Sequence, residues 1–209
     1  MIRAVIFDLD NCLAPVKEQG EQVCDPAFSA IRIANRGTLS EETLTEAFSD
    51  CWRHPFDFVA AKYGFSNEML SAGWNAFAQM EVEAWSAYPD LGVLQELTSD
   101  LYLVTSGFRR LQQSKIKALR FEHLFKGIFI DALDEPERKG KEGIFRSIMD
   151  AAGLSPEEVV IVGDNPDSEI EVGNRLGIRT VQILRPEVPR GEHATHHIVT
   201  LTELKALLT

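Results

Sequence analysis

Residues 2–7 form an apolar run broken only by Arg3, and the run ends on Asp8 and Asp10. Such a run predicts a strand buried on both faces of a parallel sheet. Four similar runs follow. Leu101–Val104 ends in Thr105-Ser106-Gly107, Gly127–Asp131 is short, Val159–Val162 closes on Gly163-Asp164, and Thr180–Leu184 comes after a helix ending near Gly177. Between them the apolar period is helical: about Phe108 to Leu119, then a helix carrying Ile144, Phe145, Ile148 and Met149. Asp90 is expected to cap another that carries Leu91, Leu94 and Leu97. Ser155-Pro156-Glu157-Glu158 is a helix-start signature, necessarily very short because a strand follows at once. Ile198-Val199 leads into a last helix, Glu203 to Leu208. Strands alternating with helices predict an α/β fold, a doubly wound parallel sheet with right-handed crossovers.

One interval breaks the alternation. After Ala14-Pro15 the pattern is helical for longer than any ordinary connection, and it reverts near Tyr88-Pro89-Asp90. We expect two units: a core of residues 1–15 and 87–209, and an all-helical insertion, 16–86. Within the insertion, Ser40 caps a helix from Glu41 to Trp52, a further helical segment runs to Gly64, and another helix follows Ser66 with Leu70, Trp74, Phe77 and Ala78 on one stripe. Its aromatic residues are read as packing.

Composition removes several classes of function. The formal charge of −11 over 209 residues argues against nucleic acid polymers and anionic membrane surfaces as partners. Three cysteines, Cys12, Cys24 and Cys51, form no CxxC pair, which favours a reducing, cytoplasmic setting. No apolar run approaches the ~20 residues of a membrane helix, and no export signal is read at the start.

The chemistry gathers at strand ends, where ligands of open α/β sheets collect. In extended chain Asp8 and Asp10 would point the same way, and two carboxylates in one pocket repel unless a cation intervenes. Mg²⁺ is the simple remedy, held jointly with Asp164 and served by Asp167 or Glu169 downstream. Thr105 and Ser106 can hydrogen-bond phosphate oxygens, and Lys139 or Lys141 supplies the point charge that an acidic chain needs for an anionic substrate.

In these features the chain resembles the haloacid dehalogenase-like hydrolase superfamily, in its capped phosphatase branch. Asp8-Leu9-Asp10-Asn11-Cys12, Thr105, the lysine loop, and Gly163-Asp164 with Glu169 stand in the order of that family's four signatures, and the likeness covers essentially the whole length. It implies a Rossmann-like core and a helical cap that closes over the site and helps choose the substrate. It also implies a Mg²⁺-dependent phosphomonoesterase for a small phosphorylated metabolite, such as a nucleoside monophosphate or a phosphoglycolate-like acid or sugar. Asp8 would be the nucleophile and Asp10 the general acid and base. Thr105 and the lysine would hold the phosphoryl group, assisted by backbone N–H groups of Leu9, Asp10 and Ser106. The metal would sit on the Asp8 carboxylate, the Asp10 carbonyl and Asp164. Counting back from Phe145, which matches a usual aromatic position, selects Lys139 over Lys141. Cys12 stands where Thr is usual, Ser106 where Asn is common, Glu169 where Asp is typical, and Lys139-Gly140-Lys141 replaces the commoner Lys-Pro.

Other residues are given ordinary roles. Cys12 has no nearby histidine to act as its base. His193, His196 and His197 lack partners at zinc spacing. Lys62 is read as an exposed helical lysine, and most of the basic residues Arg109, Arg110, Lys115 and Lys117 as a solvated face. Arg53 and His54 are the cap's candidates for a polar contact with substrate. The rival readings are a 2-haloacid dehalogenase, a phosphomutase, or a non-catalytic phospholigand-binding protein.

Overall fold

The computed structural model describes residues 1–186 and 188–208; positions 187 and 209, both in the expected core unit, lie outside the described residues. Six parallel strands form one sheet: β1 (Ala4–Phe7), β2 (Asp100–Gly107), β3 (Gly127–Ala132), β4 (Val159–Gly163), β5 (Arg179–Ile183) and β6 (His196–Ile198), in the spatial order β3-β2-β1-β4-β5-β6. The order reverses between β1 and β4, so the crevice beyond their carboxyl ends is a topological switch point. Alternate side chains serve opposite faces. Val5, Phe7, Leu103 and Val162 enter one apolar cluster, while Ala4, Ile6, Val104 and Ile161 enter the other. That two-sided burial explains the unbroken apolar runs.

Helices cover both faces. In the core, α5 (Arg109–Leu119) contributes Ile116 to the first cluster, and α6 (Gly140–Ala152) contributes Ile144, Phe145, Ile148 and Met149 to the second. Short α7 (Glu171–Arg175) and α8 (Leu204–Leu207) complete it. Ser155 makes the expected capping box with Glu158, for a single 3₁₀ turn. Pro89–Glu96 is a 3₁₀ helix, not the Asp90-capped helix expected from the leucines. Asp90 is drawn instead to Arg185, at 2.8 and 2.9 Å, and to the Leu201 N–H.

The insertion is all helical: α1 (Lys17–Asn35), α2 (Glu41–Asp50), α3 (Phe56–Tyr63) and α4 (Asn67–Ala78). Ser40 and Ser66 cap α2 and α4 through side-chain hydrogen bonds, as their positions predict. The bounds of α1 are not readable from sequence because Pro26 falls inside the helix, after a mostly polar first half. Phe28 stacks on Phe48 at 4.3 Å, and Phe77 stacks on Phe108 at 5.4 Å. Phe108 belongs to the core, so the aromatic packing of the insertion runs onto the core beside the strand ends. Among the described residues no helix is long and apolar enough to cross a membrane.

Candidate active site

Asp8 follows the last residue of β1 and is almost fully buried. Its carboxylate accepts a hydrogen bond from Lys141 Nζ at 2.7 Å, and the same ammonium donates to Glu169 at 2.6 Å. Carboxylate oxygens of Asp8, Asp164 and Glu169 all lie within 4.8 Å of one another. Two of these three acidic groups are thus bonded to one buried lysine. Burial pushes the Asp8 carboxyl up to about 7 despite the adjacent Lys141, with Glu169 adding to the rise. Burial likewise lifts Asp164 well above the carboxylate range, reinforced by Glu169 and Asp8. Burial opposes the charge of Lys141, yet Asp8 and Glu169 hold its pKa above the usual lysine value.

This donor set fits Mg²⁺. It offers hard oxygen ligands, negative charge in excess of the lysine, and a mouth open to the cleft for water and substrate. Glu169, at the position weighed against Asp167, belongs to the group, whereas Asp167 is exposed. Its fit depends on Gly163, where any Cβ would stand 2.2 Å from the Glu169 carboxylate. The Asn165 N–H donates to Glu169 at 2.7 Å and holds it in the loop after β4.

The lysine is the main departure from expectation. Lys139 is exposed at the N-cap position of α6, and Lys141 makes the contacts with Asp8. The reason is helical phase. Positions 141, 144, 145 and 148 form one buried stripe, so stepping back one turn from Phe145 reaches Lys141 and not Lys139.

Asp10 is surrounded differently. Its carboxylate receives Lys115 Nζ at 2.9 and 3.0 Å and Gln112 Nε2 at 2.9 Å. It is not one of the clustered carboxylates, and the metal contact expected of Asp10 was one through its carbonyl. Gln112 Nε2 also lies 2.6 Å from Thr105 Oγ1, on the buried end of β2. Neither Gln112 nor Lys115 was singled out from sequence, and Lys115 is buried rather than on a solvated basic face. Both lie on the inward stripe of α5, which is the signal that identifies them.

Asp131, at the end of β3, is a third residue that sequence reasoning passed over as a site. It accepts from Ser106 Oγ at 3.1 Å, from Arg138 Nε and Nη2 at 3.0 and 2.9 Å, and from the Gly140 N–H at 3.0 Å. It thereby fixes Ser106 and the start of the helix that delivers Lys141. Leu9 is fully buried, and its carbonyl accepts the Leu13 and Ala14 N–H groups in a tight turn. Asn11 in that turn has a φ of 55°.

These groups face a cleft of about 660 Å³, walled on the insertion side by Cys51, Trp52, Arg53 and His54. Arg53 Nη2 lies 3.9 Å from Asp164, and Asn165 Nδ2 donates to the Arg53 carbonyl at 2.9 Å. Arg138 reaches Asp57 of the insertion at 3.4 Å. Lys62 is engaged with Asp50 on the surface, and His197 bonds the Gly191 carbonyl. Cys12 is buried, with Sγ 3.6 Å from the Val162 carbonyl, and burial pushes its thiol well above the usual range.

The chain as a whole is similar to known proteins. The profile described as haloacid dehalogenase-like hydrolase matches residues 2–177. A glyceraldehyde 3-phosphate phosphatase of Methanopyrus kandleri is 32% identical, over 88% of this chain and 85% of its own length. An N-acylneuraminate-9-phosphatase of Rattus norvegicus is 26% identical, over 99% and 94%. Among solved structures, a HAD phosphatase from Thermococcus onnurineus superposes with a TM-score of 0.64 at 22% identity, covering 99% of this chain and 98% of that one. With its profile matched across most of the length and the signature residues gathered at the switch point of the sheet, the chain belongs to the haloacid dehalogenase-like hydrolase family.

Proposed function

We propose that the protein is a Mg²⁺-dependent phosphomonoesterase that works through an aspartyl-phosphate. The observation that carries this reading is the buried Asp8 carboxylate, bonded to Lys141 and grouped with Asp164 and Glu169 beside Thr105. Asp8 attacks phosphorus as the ester P–O bond breaks, and the departing oxygen takes a proton from Asp10. Water then attacks the aspartyl-phosphate, Asp10 takes its proton, and phosphate leaves with Asp8 restored. Lys141, the Thr105 hydroxyl and backbone N–H groups beside Leu9, Asp10 and Ser106 hold the phosphoryl oxygens. Asp8, Asp164 and the Asp10 carbonyl would hold Mg²⁺, with Glu169 supporting the loop or adding a ligand. The ion supplies the positive charge that lets an anionic nucleophile meet an anionic ester.

Residues 16–86 act as the cap over the core of residues 1–15 and 87–209, and Arg53 and His54 present polar groups to the leaving portion. The substrate is a small phosphorylated metabolite. The relatives named for glyceraldehyde 3-phosphate and N-acylneuraminate 9-phosphate support a phosphorylated sugar or sugar acid, and a nucleoside monophosphate or phosphoglycolate stays in the panel to be tested. The three unpaired cysteines suit a reducing compartment such as the cytoplasm.

The test is phosphate release from a panel of such esters, with Mg²⁺ or with EDTA, comparing the native protein with Asp8→Asn. Magnesium-dependent release that vanishes in the variant supports the reading. A folded native protein that releases phosphate from none of them overturns it.

A further inference from the structure

Asp10 is linked through α5 to the segment that returns from the insertion to the core. Lys115, only 4% exposed, places Nζ against both Asp10 oxygens and 5.0 Å from the centre of the Trp85 ring. Trp85 lies in the segment returning from α4 to the core, where it is buried. One residue before Lys115, Ser114 Oγ accepts the N–H of Val82 from that same segment at 2.9 Å. One turn before Lys115, Gln112 bridges Asp10, Thr105 and the Ser106 carbonyl. A Cβ at Gly107 would stand 2.9 Å from the Gln112 side chain, so the strand end leaves room for that amide. A single helix, α5, therefore touches the return segment on one side and Asp10 with Thr105 on the other.

We propose that Lys115 and Gln112 are positioning residues that orient the protonated Asp10 carboxyl for proton transfer to the leaving oxygen, and that Trp85 registers them to the seated cap. The ammonium and the amide hold the Asp10 carboxyl in one orientation, both while it carries the proton that passes to the leaving oxygen and after that transfer, when it is the carboxylate paired with Lys115. The general acid then meets the ester at one distance and angle, and a misplacement of about 1 Å is enough to cost roughly 100-fold. The inference rests on the aspartyl-phosphate reading above.

The test uses two esters of different need. An alkyl phosphate requires protonation of its leaving oxygen, whereas p-nitrophenyl phosphate does not. For Lys115→Met we expect kcat/KM to fall roughly 100-fold with the alkyl ester and no more than about 5-fold with the aryl ester, KM changing little. Gln112→Leu and Trp85→Leu should show the same selective loss at smaller size, and Lys117→Met, on the exposed side of α5, should match the native enzyme. Equal losses on both esters, or none on either, would overturn the proposal. Circular dichroism and thermal unfolding identify a variant that has failed to fold, and the other two variants then carry the same decision. A native protein inactive on both esters would instead overturn the phosphatase reading itself.

Discussion

Asp8 and Asp10 stand two residues apart at one strand end, yet their surroundings are opposite in kind. Asp8 shares a single lysine with Glu169 and lies against Asp164, which Arg53 approaches at 3.9 Å, so three carboxyls crowd one buried side of the cleft. Asp10 is matched one to one by Lys115 and held further by an amide. Crowded carboxyls would suit a cation and, through it, the anionic substrate proposed above; matched charge fixes a geometry. The pair shows that two identical side chains acquire different surroundings from what the neighbouring helices deliver to them, and the different duties proposed for them follow from those surroundings.

The comparison can be broken most sharply at the Asp8 side. Lys141→Met should lower kcat/KM by on the order of 10³-fold, because it removes a buried donor to both nucleophile and phosphoryl group. Retention of most activity would make Lys141 a structural residue. The next effect separates the two sides through metal. At 100 times its Kd, Mg²⁺ should stabilise the native protein by about 2.7 kcal/mol relative to EDTA, read as a rise in Tm. Asp164→Asn should lose that rise and Asp10→Asn should keep it, since the Asp10 carboxylate lies outside the acidic group; the reverse pattern would dissolve the distinction.

A charge-matched pair outside the cleft supplies the control. Burial raises the Asp90 carboxyl, but hydrogen bonds from Arg185 and the Leu201 N–H outweigh it and hold the group below its ordinary value of 3.8. A carboxyl lowered on folding adds stability that is complete above its unfolded pKa and is lost as pH falls through the folded one. Asp90→Asn should therefore cost about 2 kcal/mol near neutral pH in chemical denaturation, with the gap to native closing below about pH 4. A gap that persists in acid would assign the loss to packing. Smallest of all, Lys139→Met should change kcat/KM by no more than about twofold, as expected of an exposed side chain. A large loss there would return the phosphate-holding role to the position that motif spacing selects.

Most of the fold was legible because its strands are buried on both faces and its caps are chemical. The apolar runs marked β1 to β5, and Ser40, Ser66 and Ser155 marked helix or turn starts. Asp8, Asp10, Thr105 and Asp164 were visible as polar residues ending those runs. What escaped was polar groups buried on helices. Lys115 lies one turn from Leu111 and Leu119 on α5, and Lys141 one turn from Ile144 and Phe145 on α6, so each continues an apolar stripe at helical spacing. A lysine on such a stripe has no partner in sequence, since Asp10 and Asp8 lie more than a hundred residues away. Asp90 misled for a related reason. Its local signal was a cap, and a distant arginine took the carboxylate instead.

The cap meets the loop after β4 through the main chain of Arg53: Asn165 donates to its carbonyl, while the guanidinium makes only a long contact with Asp164. A carbonyl is present whatever residue occupies position 53. Changes of side chain at this site would therefore leave the main-chain contact in place, and if the proposed role of Arg53 toward the leaving portion holds, position 53 becomes a natural starting point for laboratory evolution of new substrate preference.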